Sequence, residues 1–361
     1  MAPAPRAGRL NGEDDVTNEA RVPTRMGDGT FAQLTRSEIR AELEAGVAAA
    51  VKRAKVPPLS DDEIDHLLDI YASRLRFIGV DVGEEIVLSC DGTGMKTHST
   101  RIQDLQSYEQ WMGADLLELC VGDYSLKVVR TILAYEAQYM HDAQLCTIAP
   151  LQYGVMPNLG LYSKPDGPCD NWNELLPQGR IPEARAAAEE AVEMAVVDMV
   201  NLADSQWEAG ADAIDWDTTG ASGDPEFLAA LRATKIIREK YPDMGVQLGM
   251  AGEFVLGMHG QLEWEGVRLA GLWPKDQLLL AQKAGATMFG PVVNVNTGKS
   301  LAWNMARAIA LIKPCMEVAE IPVHPNAGMG VGGVPMFVHL PSDAVCRAAK
   351  SFVELLHVDG L

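Results

Sequence analysis

No cysteine in this sequence stands in a C-x-x-C pair. The six, Cys90, Cys120, Cys146, Cys169, Cys315 and Cys346, are scattered over 361 residues, which excludes a disulfide framework and points to a reducing cytoplasm. Long apolar runs are also missing. No stretch reaches about 18 apolar residues, and the N-terminus lacks the apolar core of a signal peptide, so a membrane is not an expected partner. Positive charge is in short supply. Thirty Lys and Arg face 50 Asp and Glu, a net charge of -20, which excludes a basic stripe and with it nucleic acid as a partner. Aromatics make up only 6% and hydrophobic residues 47%, the balance of an ordinary α/β enzyme. The length is enough to bury a large core.

What is present is organised around Gly210-Ala-Asp-Ala-Ile-Asp-Trp-Asp-Thr-Thr-Gly220. Ile214 and Trp216 alternate with Asp215 and Asp217, and a period of two puts both carboxylates on one face of a buried strand. Buried acids are costly unless they bind something or hold backbone donors. The phrase recurs. Gly113-Ala-Asp-Leu-Leu-Glu-Leu119 and Gly285-Ala-Thr-Met-Phe-Gly290 each follow a helical pattern and open an apolar run, and His357-Val-Asp-Gly-Leu361 is a last, short copy. Helix, turn and strand repeat in the manner of a parallel α/β fold.

Before the repeats, residues 1–25 are Pro-, Ala- and charge-rich and read as a disordered arm. Thr35-x-x-Glu38 and Ser60-x-x-Glu63 are capping boxes that open two helices, and 77–90 alternates as short strands. Residues 26–102 therefore read as a cap, and 103–361 as a (β/α) barrel. The expected strands are 114–121, 145–149, the stretch 210–220, 246–250, 287–293 and 321–324. Their C-terminal ends gather Glu118, Asp123, Gln152, Asp215, Asp217, Glu253, Asn294, Asn296 and His324, the face on which a TIM barrel carries its chemistry. Asp215, Asp217 and Glu253 are the expected catalytic acids, suited to the charge of an ammonium substrate. Gln152, Tyr153, Asn294, Asn296 and His324 are expected to shape the pocket.

Gly328-x-Gly330-x-x-Gly333 matches a dinucleotide fingerprint in form only, since Val334-Pro335 follows where a helix should continue. Gly328, Gly330, Gly332 and Gly333 instead read as flexible backbone lining the barrel mouth. His259 and His324 stand outside any ligand-spaced cluster, so no bound metal is expected, although a zinc site assembled across strands stays open as an alternative.

Several stretches resemble one family. They are Arg25-Met-Gly-Asp-Gly29, Met156-Pro-Asn-Leu-Gly-Leu-Tyr162, Pro165-Asp-Gly-Pro168, Asp217-Thr-Thr219, Gly249-Met-Ala-Gly-Glu-Phe-Val-Leu-Gly-Met-His-Gly260, Leu269-Ala-Gly-Leu-Trp-Pro274 and Gly328-Met-Gly-Val-Gly-Gly333. From about residue 25 onward the chain resembles the dimethylamine:corrinoid methyltransferases. The resemblance implies a TIM barrel that moves a methyl group from dimethylamine to the Co(I) corrinoid (cobalamin) of a separate corrinoid protein. The Gly328–Gly333 run would then line the approach of that partner. It also implies pyrrolysine, whose imine takes up the amine, in a position shortly after a segment like His357–Leu361. The sequence contains no pyrrolysine. Six strands with a seventh just starting, at about 30 residues per unit, leave roughly 60–100 residues to complete a barrel. The expectation is therefore a chain ended at an amber codon, an incomplete barrel and a homo-oligomeric assembly. The alternatives are a zinc-dependent corrinoid methyltransferase acting on another methyl donor and a non-catalytic truncated product.

Overall fold

A computed structural model of the chain describes residues 20–80, 89–92, 98–119, 134–217, 219, 223–258, 260–337 and 339–361. Most of the N-terminal arm, Asp123, Thr218, Gly220 and His259 lie outside them. The described chain enters through an antiparallel hairpin, β1 (Arg21–Arg25) and β2 (Phe31–Thr35). The last residues of the expected arm thus form a strand, because pairing with β2 satisfies their backbone groups.

Both capping boxes close as their spacing dictates. Thr35 Oγ1 accepts from the Glu38 amide at 3.2 Å while the Glu38 carboxylate accepts from the Thr35 amide at 2.7 Å, opening α1 (Arg36–Ala54). Ser60 and Glu63 do the same for α2 (Asp61–Tyr71), with bonds of 3.3 and 2.8 Å.

Strands and helices then alternate. They are β3 (Ser89–Gly92), α3 (His98–Met112), β4 (Leu116–Leu119), α4 (Ala134–Cys146), β5 (Leu151–Val155), the short α5 (Trp172–Leu175), the long α6 (Ile181–Glu208), β6 (Ala213–Trp216), α7 (Asp224–Lys240) and β7 (Gly245–Ala251). A small hairpin, β8 (Glu263–Trp264) and β9 (Val267–Arg268), interrupts the run before α8 (Pro274–Ala284), β10 (Met288–Pro291), α9 (Leu301–Met316) and α10 (Ser342–Ser351). Six strands form one sheet in the order β10-β7-β6-β5-β4-β3, all parallel. The fold is an incomplete TIM-type barrel.

Three strand positions differ from expectation. β3 pairs with β4 and so places the start of the sheet inside the segment read as cap. The second expected strand, 145–149, is instead the end of α4 and a turn with Ile148 exposed, and the strand runs over Leu151–Val155. Its apolar run ended at Pro150, and the helix before it claimed Leu145 and Cys146. The expected strand at 321–324 shrinks to a bridge, Val323 beside Phe289. Asp359 then lies beside Val323, donating its amide to the Val323 carbonyl at 3.2 Å and accepting the Val323 amide at 2.8 Å.

Two apolar clusters hold these layers. Ile214, Trp216, Val246, Leu248 and Phe289 pack outward with residues of α6, α7 and α8. A second cluster joins Ile39, Leu43 and Val47 of α1 to Ala302, Met305 and Ile309 of α9, and continues to Phe352. α9 is buried on almost every side because α1 covers its outer face, as an apolar sequence around the whole helix requires.

A polar lumen as candidate active site

Parallel register decides which side chains share the inner face. Glu118 pairs with Gln152, Gly154 with Asp215, and Asp215 with Gln247. Ile214 and Trp216 are fully buried in the outer core, so alternation turns Asp215 to the opposite side, where it is 3% exposed. Gln152 Nε2 donates to Gln247 Oε1 at 2.9 Å, reaching from β5 to β7 across β6. That bond requires both amides on the lumen side.

Glycines make the room. A methyl group on Gly249 would lie 2.7 Å from Asp215 Oδ2 and 2.9 Å from its Cγ, and one on Gly154 would lie 3.1 Å from the Glu118 carboxyl carbon. Any larger residue at either position would push a carboxylate aside. Thr219 ties the strand ends together: its hydroxyl donates to the Gly249 carbonyl at 3.4 Å and its own carbonyl accepts from the Gly252 amide at 3.1 Å. Asp217 follows β6 at its end, buried, with its amide donating to the Val155 carbonyl at 2.8 Å.

His324 completes the lining. Its amide donates to the Phe289 carbonyl at 2.8 Å, its own carbonyl lies beside Gly290, and since Val323 joins the outer core, alternation gives His324 the inner face. The residue is 8% exposed, and Nε2 has no hydrogen-bond partner among the described residues. Burial pushes its pKa down to about 4, so the imidazole is neutral at pH 7 and offers one acceptor nitrogen.

The other expected site residues stand elsewhere. Tyr153 turns to the helix layer, where its hydroxyl donates to Glu136 Oε1 of α4 at 3.0 Å; period two separates it from Gln152. Glu253 is held by Arg307 of α9 in a two-pronged ion pair, with Arg307 Nη1 donating to Oε2 at 2.9 Å, and it also accepts the Asn294 amide at 3.2 Å. It organises a loop and its charge is already met. Asn294 and Asn296 have exposed side chains. The Asn296 side chain accepts the Gly298 amide at 2.9 Å in a local turn, while its main chain donates to Asn304 Oδ1 at 2.7 Å and accepts from Asn304 Nδ2 at 3.1 Å. The glycine run packs rather than gapes. Gly332 donates to the Val293 carbonyl at 3.0 Å, and a methyl on Gly333 would lie 2.7 Å from Met305 Cγ. Four apolar side chains of that loop are nevertheless exposed: Met329, Met336, Phe337 and Leu340.

The lumen therefore unites Gln152, Asp215, Asp217 and His324 from the expected set. It adds Gln247, which sequence reasoning missed, and gives Glu118 a place. The signal for Gln247 was present in Val246-Gln-Leu248, a polar residue between two apolar ones in a strand.

The family model described as dimethylamine methyltransferase (Dimeth_PyL) matches residues 20–361. The chain belongs to the dimethylamine methyltransferase family. Solved structures with similarity include the carboxyl transferase domain of Rhizobium etli pyruvate carboxylase with pyruvate and biocytin, at 13% identity and a TM-score of 0.38, over 77% of this chain and 40% of that one. Another is the YdjI aldolase from Escherichia coli K12, at 9% identity and a TM-score of 0.36, over 78% of this chain and 98% of that one. The chain thus spans less than half of the carboxyl transferase chain it matches. Among its described residues, no group of three His, Cys, Asp or Glu is placed to hold a metal ion, and no helix is long and apolar enough to cross a membrane.

Proposed function

We propose that this chain binds dimethylammonium in the lumen and presents one methyl carbon to the Co(I) corrinoid of a cytoplasmic partner protein. The observation that carries the reading is Asp215, a buried carboxylate set in space that Gly249 leaves open on the inner face of the sheet. A carboxylate in a water-poor site holds an ammonium far better than one in bulk water. Keeping the nitrogen protonated also makes methylamine the leaving group in place of its anion.

Neutral His324 supplies an acceptor for one N–H of the ammonium through Nε2, the buried atom that lacks a partner among the described residues. The Gln152–Gln247 pair fixes the amides that border the carboxylate. Asp217, at the end of β6, adds a second negative charge toward the mouth. Positioning is the chief contribution of these residues, since nitrogen, methyl carbon and acceptor must lie in line.

The corrinoid, when delivered, supplies the nucleophilic metal centre that accepts the methyl group. The features that fit it are small residues along the lumen, Gly154, Gly249 and Gly290, and the exposed apolar rim of Met329, Met336, Phe337 and Leu340. Methionine-rich rims adapt to a partner surface. The Gly328, Gly330, Gly332 and Gly333 turns hold this rim in place and are not themselves a cradle. A homo-oligomeric assembly remains part of this reading.

The test is the rate at which Co(I) corrinoid on the partner protein is consumed with dimethylamine. Asp215→Asn is expected to lose most of that rate with the fold intact by circular dichroism. Full activity in that variant overturns the assignment.

A further inference from the structure

A cleft of about 360 Å³ lies outside the lumen, between the entry hairpin, the end of α2 and the first turns of α10. Its lining holds Arg25, Arg74, Arg76 and Arg347, and Asp343 is the one acid among its described lining residues. In a chain with a net charge of -20, four guanidinium groups around one cavity are a local reversal of sign.

The single acid does not neutralise them. Its carboxylate is engaged by Arg25, with Nε to Oδ2 at 2.8 Å and Nη2 to Oδ1 at 2.7 Å. Arg347 is 9% exposed. It donates to main-chain carbonyls only: Asp343 at 3.0 Å, Ser73 at 3.0 Å and Leu75 at 2.7 Å. Those carbonyls satisfy its N–H groups, but they carry no net charge to offset it. Arg74 and Arg76 are exposed and, among the described residues, have no ion-pair partner. The rest of the wall is Pro23, Phe31, Tyr71, Leu75 and Leu301, with the hydroxyl side chains of Thr24 and Ser73 among them.

We propose that this cleft binds a small organic oxyanion, a phosphate or carboxylate head on an apolar body. Planar guanidinium forks bind such heads in pairs of parallel hydrogen bonds. Arg74 and Arg76 clamp the head at the open side, Arg347 supplies buried positive charge behind it, and Phe31, Leu75 and Leu301 cover the body. The site is independent of the methyl-transfer reading, since none of its residues lines the lumen.

Isothermal titration of the protein with phenyl phosphate tests it, with inorganic phosphate and phenol as the head and body alone. Phenyl phosphate is expected to bind more tightly than inorganic phosphate by about tenfold, with phenol silent. The double variant R74A/R76A, at two exposed positions, is expected to weaken phenyl phosphate by about tenfold or more. Its dimethylamine turnover is expected to be unchanged. The proposal is overturned if phenyl phosphate gives no saturable heat, or if R74A/R76A binds it as well as the parent does. If the parent is an oligomer that R74A/R76A dissociates while phenyl phosphate stays silent, the proposal is overturned and the arginines belong to a subunit contact.

Discussion

The lumen and the arginine cleft are two polar regions of opposite sign, and they are built by opposite means. In the lumen, Glu118, Gln152, Asp215 and Gln247 sit on adjacent strands, each placed by register and by alternation along its own strand. In the cleft, Arg25, Arg74, Arg76 and Arg347 come from a hairpin, a loop and a distant helix. The lumen buries polar groups inside regular structure and relies on glycines for room. The cleft leaves two of its arginines in solvent and fills its inner wall with one buried guanidinium. A local period of two is enough to assemble the first, and only the packing of α10 against α2 assembles the second.

The sharpest way to break this contrast is in the loop after β7, outside both regions, where the buried Glu253 is paired with Arg307. Glu253→Gln leaves Arg307 buried without a counter-charge, and urea unfolding is expected to show a loss of about 3–5 kcal/mol. The double variant E253Q/R307M is expected to recover most of it. Asp215→Asn should instead spare stability and cost about 100–1000-fold in kcat/KM for dimethylamine, measured with the corrinoid partner. Gly249→Ala sharpens the point, because it leaves the carboxylate in place chemically but displaces it; about 100-fold loss is expected.

His324 gives a pH signature. Its folded pKa is about 4 against 6.5 in the unfolded chain. Between those values the unfolded chain binds a proton that the folded chain does not, so stability rises with pH across that window. The contribution is complete above pH 6.5, is lost as the pH falls toward 4, and levels off below it. Its size is on the order of 3 kcal/mol, and His324→Asn should flatten the denaturation profile between pH 4 and about 6.5. The smallest effect lies outside both regions. Thr35→Ala removes one cap of α1 and should cost about 1 kcal/mol in thermal or urea unfolding, with turnover unchanged.

Both capping boxes, the parallel repeat and the lumen-facing Asp215 were legible in the residues, because each rests on spacing within a few positions. The second strand was not. Leu145 to Ala149 is a short, mostly apolar run like that of a buried strand, and only the helix before it and the pairing beyond Pro150 show that the strand begins at Leu151. Tyr153 was expected beside Gln152, yet neighbours in a strand face opposite ways, and which face is inner is decided by the helices outside. Glu253 carried the right chemistry at a strand end. Its partner Arg307 lies 54 positions away on α9, and no local pattern announces that pair.

The amino-acid order alone therefore determined the alternation of helix and strand, the caps, the acidic character and the family resemblance, all of which depend on contacts between near neighbours or on motif identity. Tertiary structure alone decided which acids hold a loop and which face the lumen, and it alone gathered the four arginines. A charge acquires its role from what lies within a few ångströms, and in a folded chain those neighbours are mostly distant in sequence.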